Sequence, residues 1–189
     1  MESKPKLKIE KIYKDAIIPN KPVTNTDSGY DIYAYNVKKM YIHGGGNSEA
    51  VLVDENLRRR FIGPNTFELQ CNERVLIGTG IKATVAEGYE IQVRPKSGIS
   101  LKKGLTVLNT PGTLDFEYRN EICVIIVNTS RAVQTITLGE AIAQLVPCKV
   151  ELLEVEETTL EATTRGNHGF GDEEPVPKKK ETPFNIPKV

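Results

Sequence analysis

The sequence has little of what would build a metal cage, a disulfide framework or a membrane anchor. Its 189 residues include three cysteines, Cys71, Cys123 and Cys148, widely spaced and without a Cys-x-x-Cys pair. That argues against a zinc site or a disulfide scaffold and fits free thiols in a reducing cytosol. With His43 and His168 as the only histidines, a His-rich metal site is excluded. No apolar run approaches the roughly 20 residues that span a bilayer. The N-terminus, MESKPKLKIEK, is charged throughout, so it does not read as a secretory signal. Charge of one sign is lacking too: 25 Lys and Arg balance 25 Asp and Glu. Nothing global therefore points to nucleic acid or a membrane as partner, and a cytoplasmic location is expected. A polyanionic ligand would have to be held by local donors.

What is present is a succession of short extended segments. KLKIEKIY (6–13), YDIYAYNV (30–37), YEIQVRP (89–95) and AVQTITL (132–138) alternate apolar and polar residues, the mark of half-buried strands. ICVIIV (122–127) is a continuous β-branched run and predicts a strand buried on both faces. Turn signals separate the runs, and no segment shows a long helical period. The predicted class is all-β, a sandwich or jelly roll. Hydrophobic residues make up 39%, enough for one compact core.

The densest stretch is NTPGTLDFEYRNEI, residues 109–122. Pro111-Gly112 predicts a hairpin bend whose exposed backbone groups can pair with a planar heterocycle. Asp115 follows, where a carboxylate can take a proton from water, and Tyr118 adds a flat ring. Upstream, Lys96-Ser97-Gly98 closes the strand YEIQVRP. It offers a positive charge, a hydroxyl and a position of close backbone approach, a combination suited to phosphate.

The stretch 109–122 resembles the third motif of the homotrimeric dUTP pyrophosphatases (dUTPases). Four further segments fall in that family's order: DSGYDIYA (27–34), RPKSGIS (94–100), LGEAIAQL (138–145) and TTRGNHGFG (163–171). The resemblance spans residues 27–171. It implies a distorted β jelly roll (β-clip) assembled as a homotrimer with shared active sites. The implied activity is magnesium-dependent hydrolysis of dUTP to dUMP and pyrophosphate, which keeps uracil out of DNA.

It also implies roles residue by residue. Asp115 is the general base that activates the attacking water. Asn109 and the backbone of Gly112, Thr113 and Leu114 read the uracil edge, and Tyr118 packs under the deoxyribose. Lys96, Ser97 and Gly98 bind phosphate, with Ser97 at the bridging oxygen beside the α-phosphate. Relatives commonly carry Arg at the position of Lys96; Lys keeps the charge without the bidentate fork. Gln144 donates to a phosphate from a neighbouring subunit, and Asp31 holds the Mg2+–phosphate assembly through water. Arg165 clamps the γ-phosphate, and Phe170 stacks on uracil as the glycine-rich arm 163–171, through Gly171, folds over the site. After Gly171 this chain continues Asp172-Glu173-Glu174, where relatives generally carry Ser or Thr.

On this reading residues 1–171 form the dUTPase-like domain. Residues 38–66 are an insertion, with a helical turn capped by Asp54 and an Arg58-Arg59-Arg60 cluster that suits a solvated face or a partner-binding patch. Residues 172–189 form a Pro-rich charged tail. Two alternatives stand beside the hydrolase. One is a nucleotide-sensing or partner-binding protein using the insert 38–66. The other is a dCTP deaminase of the same fold, with Glu121 as the candidate glutamate.

Overall fold

In the computed structural model the structure describes residues 5–21, 23–43, 49–52, 54–164 and 166. The chain divides into two units, residues 1–152 and 153–189. In the second unit the described residues form neither helix nor strand and are exposed.

The first unit is built of short antiparallel strands, as the alternation predicts. Strands β1 (Lys8–Lys11), β2 (Tyr30–Tyr33), β3 (Asn36–His43) and β4 (Glu49–Leu52) precede the short helix α1 (Asp54–Arg58). Strands β5 (Thr66–Leu69), β6 (Arg74–Gly78), β7 (Ile81–Thr84) and β8 (Tyr89–Arg94) lead to helix α2 (Ser97–Lys103). Strands β9 (Leu105–Val107), β10 (Gly112–Leu114), β11 (Cys123–Asn128), β12 (Gln134–Thr137) and β13 (Ala141–Lys149) complete the unit. Two larger sheets, ordered β10-β8-β13-β2 and β4-β3-β6-β11-β9, are accompanied by the pairs β1-β7 and β12-β5.

The core lies between the inward-facing positions. Phe67, Ile32, Met40, Leu69, Ile77 and Leu145 are fully buried, each stabilising the fold by roughly 1.5–3 kcal/mol relative to exposure. Asp54 opens α1 as expected. Helix α2 is not predicted by the sequence pattern, because its seven residues are too few to display a helical period. Its stop signal is legible in retrospect: Gly104 at φ 65° closes the helix, after Lys102 and Lys103 in the last turn.

Two sequence expectations change here. Within this single chain strand β11 is buried on both faces only toward its end: Cys123 and Ile125 are half-buried, while Val124, Ile126, Val127 and Asn128 are buried. It sits between β6 and β9. The arginine cluster is also not wholly a solvated face. Arg60 turns inward, forms an ion pair with buried Glu73 and donates to the Glu68 carbonyl at 3.4 Å. Segment 38–66 contributes most of β3, whose pairing with β6 ties it into the five-stranded sheet.

Glu73 also accepts the Gln70 amide at 2.8 Å, so its carboxylate joins the start of β6 to Arg60. Replacing Glu73 by Ala leaves a part-buried guanidinium without its counter-charge. Urea denaturation of Glu73→Ala should show a loss of about 3–5 kcal/mol, the range for breaking one side of a buried pair.

Candidate active site

The site is organised by β13, the only strand in its sheet that pairs with both β8 and β2 among the described residues. Gln144 stands opposite Asp31 on β2 and opposite Arg94 on β8. Directly opposed residues share a face, so these three polar side chains form one row across the sheet. Helix α2 begins just beyond the β8 end of that row and adds Ser97.

A cleft of about 590 Å³ opens there, lined among others by Ser28, Gly29, Arg94, Ser97, Thr110 and Gln144. Segments far apart in sequence thus meet: 28–29, 92–100, 110–111 and 144–146. Asp31 is nearly buried and forms an ion pair with Lys96. Lys96 therefore faces a carboxylate of its own chain. Ser97 and Gly98 are exposed, and a Cβ added at Gly98 would meet nothing within 4 Å. Within this chain, then, no neighbouring group requires glycine there. Gln144 donates its Nε2 to the Pro95 carbonyl at 3.1 Å. Arg94 is held by Gln92, whose Oε1 accepts from its Nε at 2.9 Å, and Gln92 in turn donates to Glu90 at 2.6 Å. Arg94 and Gly29 were not singled out from sequence, although both lie within the matched motifs.

The Pro-Gly turn forms, with a cis Thr110–Pro111 peptide, but β9 before it pairs with β11 and β10 after it pairs with β8, so it links two sheets and does not close the hairpin that the sequence predicts. Gly112 is buried; a Cβ there would lie 3.3 Å from Asn109 Nδ2 and 3.4 Å from Val93 Cβ, so Gly lets the loop fold closely on β8. Leu114 points into the core, Thr113 outward, and Asn109 and Asp115 are exposed. Tyr118 is half-buried: its hydroxyl donates to the Glu121 carbonyl at 2.9 Å, and burial raises its pKa. Glu121 itself is engaged, paired with Lys38 at 2.8 Å and accepting the Gly80 amide at 2.9 Å. A glutamate so committed fits a structural role better than the deaminase role weighed from sequence. Beside it, burial and then the Glu121 charge push the Cys123 thiol up.

The chain does not bring all the candidates together. In the β10–β8 ladder Gly112 opposes Val93 and Leu114 opposes Ile91, so Asp115 lies past the Ile91 end and Ser97 past the Arg94 end. From the level of Glu90 to that of Arg94 the separation is roughly 13 Å, at about 3.3 Å per residue. The turn reaches the cleft through Thr110 and Pro111; Asp115 does not line it. Arg165, Phe170 and Gly171 lie outside the described residues, as do Asp172, Glu173, Glu174 and the rest of the tail. Among the described residues no group of three or more His, Cys, Asp or Glu side chains could hold a metal, and no helix is long and apolar enough to cross a membrane.

The fold and cleft define an all-β protein of the jelly-roll class, and comparison with known proteins gives its family. The dUTPase family model matches residues 63–173. The deoxyuridine 5'-triphosphate nucleotidohydrolase of Nautilia profundicola is 38% identical over 169 residues, covering 88% of this chain and 96% of that protein. The Fusobacterium nucleatum protein of the same name is 52% identical over 104 residues, 54% of this chain and 71% of the relative. The chain belongs to the dUTPase family. Its fold is shared by the dUTPase of Staphylococcus bacteriophage 80alpha solved with dUPNHPP, at a TM-score of 0.65 and 21% identity over 89% of this chain and 98% of that one. The dUTPase of phage phi11 of S. aureus aligns at a TM-score of 0.61 and 19% identity, over 82% and 97% of the two chains.

The Lys96–Asp31 pair sits next to the cleft in sequence and strand register, although neither residue lines it. Lys96→Met should destabilise the protein by about 1–3 kcal/mol, since it strands a nearly buried carboxylate, whereas Lys96→Arg should stay within about 1 kcal/mol of the parent. Chemical denaturation of both variants checks this.

Proposed function

We infer that the protein is a dUTP diphosphatase, hydrolysing dUTP to dUMP and pyrophosphate and so limiting uracil incorporation into DNA, in the cytoplasm. The observation that carries the reading is the cleft on which Ser97, Gln144 and the 110–111 turn converge in a chain of this family.

The roles proposed for the residues follow their placement. The turn around Asn109 and Gly112–Leu114 presents backbone groups to the uracil edge, rejecting cytosine by donor–acceptor mismatch and thymine by its methyl. Tyr118, steadied by its bond to Glu121, packs against the deoxyribose and leaves no room for a 2′-hydroxyl. Ser97 donates to the bridging oxygen beside the α-phosphate, Gly98 allows the chain to come close, and Gln144 donates from the strand across the cleft. Asp115, exposed and carrying no buried counter-charge, takes the proton of the water whose oxygen bonds to the α-phosphorus. As that bond forms, the bond to the bridging oxygen breaks and pyrophosphate leaves. Arg165 closes on the γ-phosphate and Phe170 on the base, with the arm ending at Gly171.

Asp31 offers one carboxylate, already shared with Lys96, and it belongs to no group of three or more His, Cys, Asp or Glu side chains that could hold a metal among the described residues. That donor set does not enclose a cation, but it fits Mg2+ carried by the triphosphate and held through water. When bound, the ion neutralises charge on the phosphate oxygens. Within one chain Asp115 and Ser97 occupy opposite ends of the β10–β8 ladder, which supports a homotrimer in which the 109–115 segment of one copy serves the phosphate cleft of another. The half-buried outer face of β11 supports the same assembly.

A partner-binding role for segment 38–66 is also supported by an observation. Strand β4 is the edge of its sheet, and Val51 and Ile62 are 48% and 59% exposed.

Pyrophosphate release by the purified protein with Mg2+, comparing dUTP with dCTP, dTTP and UTP, tests the activity. Release from dUTP alone is expected. Asp115→Asn should lower kcat by about 10²–10⁴-fold with dUTP affinity retained. Equal release from dCTP, or full activity in the variant, would reject the proposed recognition or the proposed base.

A further inference from the structure

Gly29 is buried beside the cleft and precedes Asp31 by two residues. A Cβ built on it would lie 1.9 Å from Oε1 of Gln144 and 2.9 Å from its Cδ, but 3.4 Å from its Cβ. Only the amide end of Gln144 would be overrun; the base of that side chain would be in ordinary contact. On the other side of the same amide, Nε2 donates to the Pro95 carbonyl at 3.1 Å. A carbonyl only accepts, so it fixes which end of the amide faces it. Nε2 has a second hydrogen, and the amide lines the cleft that Ser97 also lines.

We propose that Gly29 is a positioning residue for catalysis: its bare Cα is the space that holds the Gln144 amide in the orientation that presents an N–H to the substrate phosphates. This rests on the dUTP diphosphatase reading and on Gln144 as a phosphate donor. The sequence identifies the Gly-Tyr-Asp motif but not this role, because the partner lies 115 positions away on another strand.

The sterics make a specific demand. What a methyl group at position 29 meets is the far end of a flexible side chain, not backbone. Gly29→Ala should therefore fold, with Gln144 turned out of its place. The experiment measures kcat and KM for dUTP, together with thermal unfolding, in the parent, Gly29→Ala, Gln144→Ala and the double variant. Losing one hydrogen bond to a charged phosphate oxygen corresponds to about a ten- to hundredfold fall in kcat/KM. The expected pattern is a loss of that size in each single variant, no further loss in the double variant, and a thermal midpoint for Gly29→Ala close to the parent. Non-additivity of this kind is the signature of two residues acting through one contact.

Losses that multiply in the double variant would overturn the proposal, because Gly29 would then act independently of Gln144. So would full activity in Gly29→Ala beside an impaired Gln144→Ala. If the parent turns over dUTP and Gln144→Ala matches it, the phosphate role of Gln144 fails and the proposal fails with it. A parent that binds but does not turn over dUTP rejects the underlying reading instead. In that case equal weakening of the binding of a non-hydrolysable dUTP analogue in the two single variants, not increased in the double, would still support the contact, and unequal weakening would overturn it.

Discussion

The register of β13 is the constraint on which the rest depends. This strand is clamped between β8 and β2, and its irregularity between Ala141 and Ala143 sets the phase of every residue after it. With that phase, Ala143 and Leu145 are fully buried and Gln144 faces the cleft. A slip of one position would exchange them, driving an amide into the core and two apolar side chains into the ligand space. The row Asp31–Gln144–Arg94 exists only in this phase. A hydrophobic core that fixes strand register therefore also fixes the order of polar groups in the site.

Electrostatics in this neutral chain is accordingly local. Lys96 faces Asp31, Lys38 faces Glu121, Arg60 faces Glu73 and Lys103 faces Glu140 at 2.6 Å. Most of these charges lie in the interior or half-interior, where an unmatched partner is expensive. The consequence is a chain with no long-range field to draw an anion in. On the proposed reading, the anion is held by donors at contact distance, a hydroxyl at Ser97 and an amide at Gln144; beside them the Arg94 guanidinium is oriented by a chain of two hydrogen bonds from Glu90 through Gln92.

Much of the fold was legible because period-2 alternation survives in short strands: β2, β8 and β12 fall within runs read from the sequence. The turn at Pro111-Gly112 was legible from its chemistry, but not that it passes from one sheet to another instead of closing a hairpin. The apolar run of β11 reports the chemistry of both faces but not what covers them, so the half-burial of Cys123 and Ile125 within one chain was not legible from it. Helix α2 was missed because seven residues cannot show a period. The site was legible as motifs but not as a geometry. Sequence gives Lys96 a charge that suits phosphate, and only the fold shows that Asp31 already claims it. Sequence shows Gly29 and Gln144 in separate motifs, and only the pairing of β13 with β2 places them in contact.

The opposed placement of Asp115 and Ser97 along the β10–β8 ladder reaches beyond the geometry of one protomer. If each site is completed by another copy, assembly becomes a mass-action term in the rate: dilution would remove sites before it unfolded any chain. Two chains inactivated at opposite ends of the ladder would likewise regain function when mixed. A defect in one half of the site would then be recessive to a partner carrying a defect in the other half.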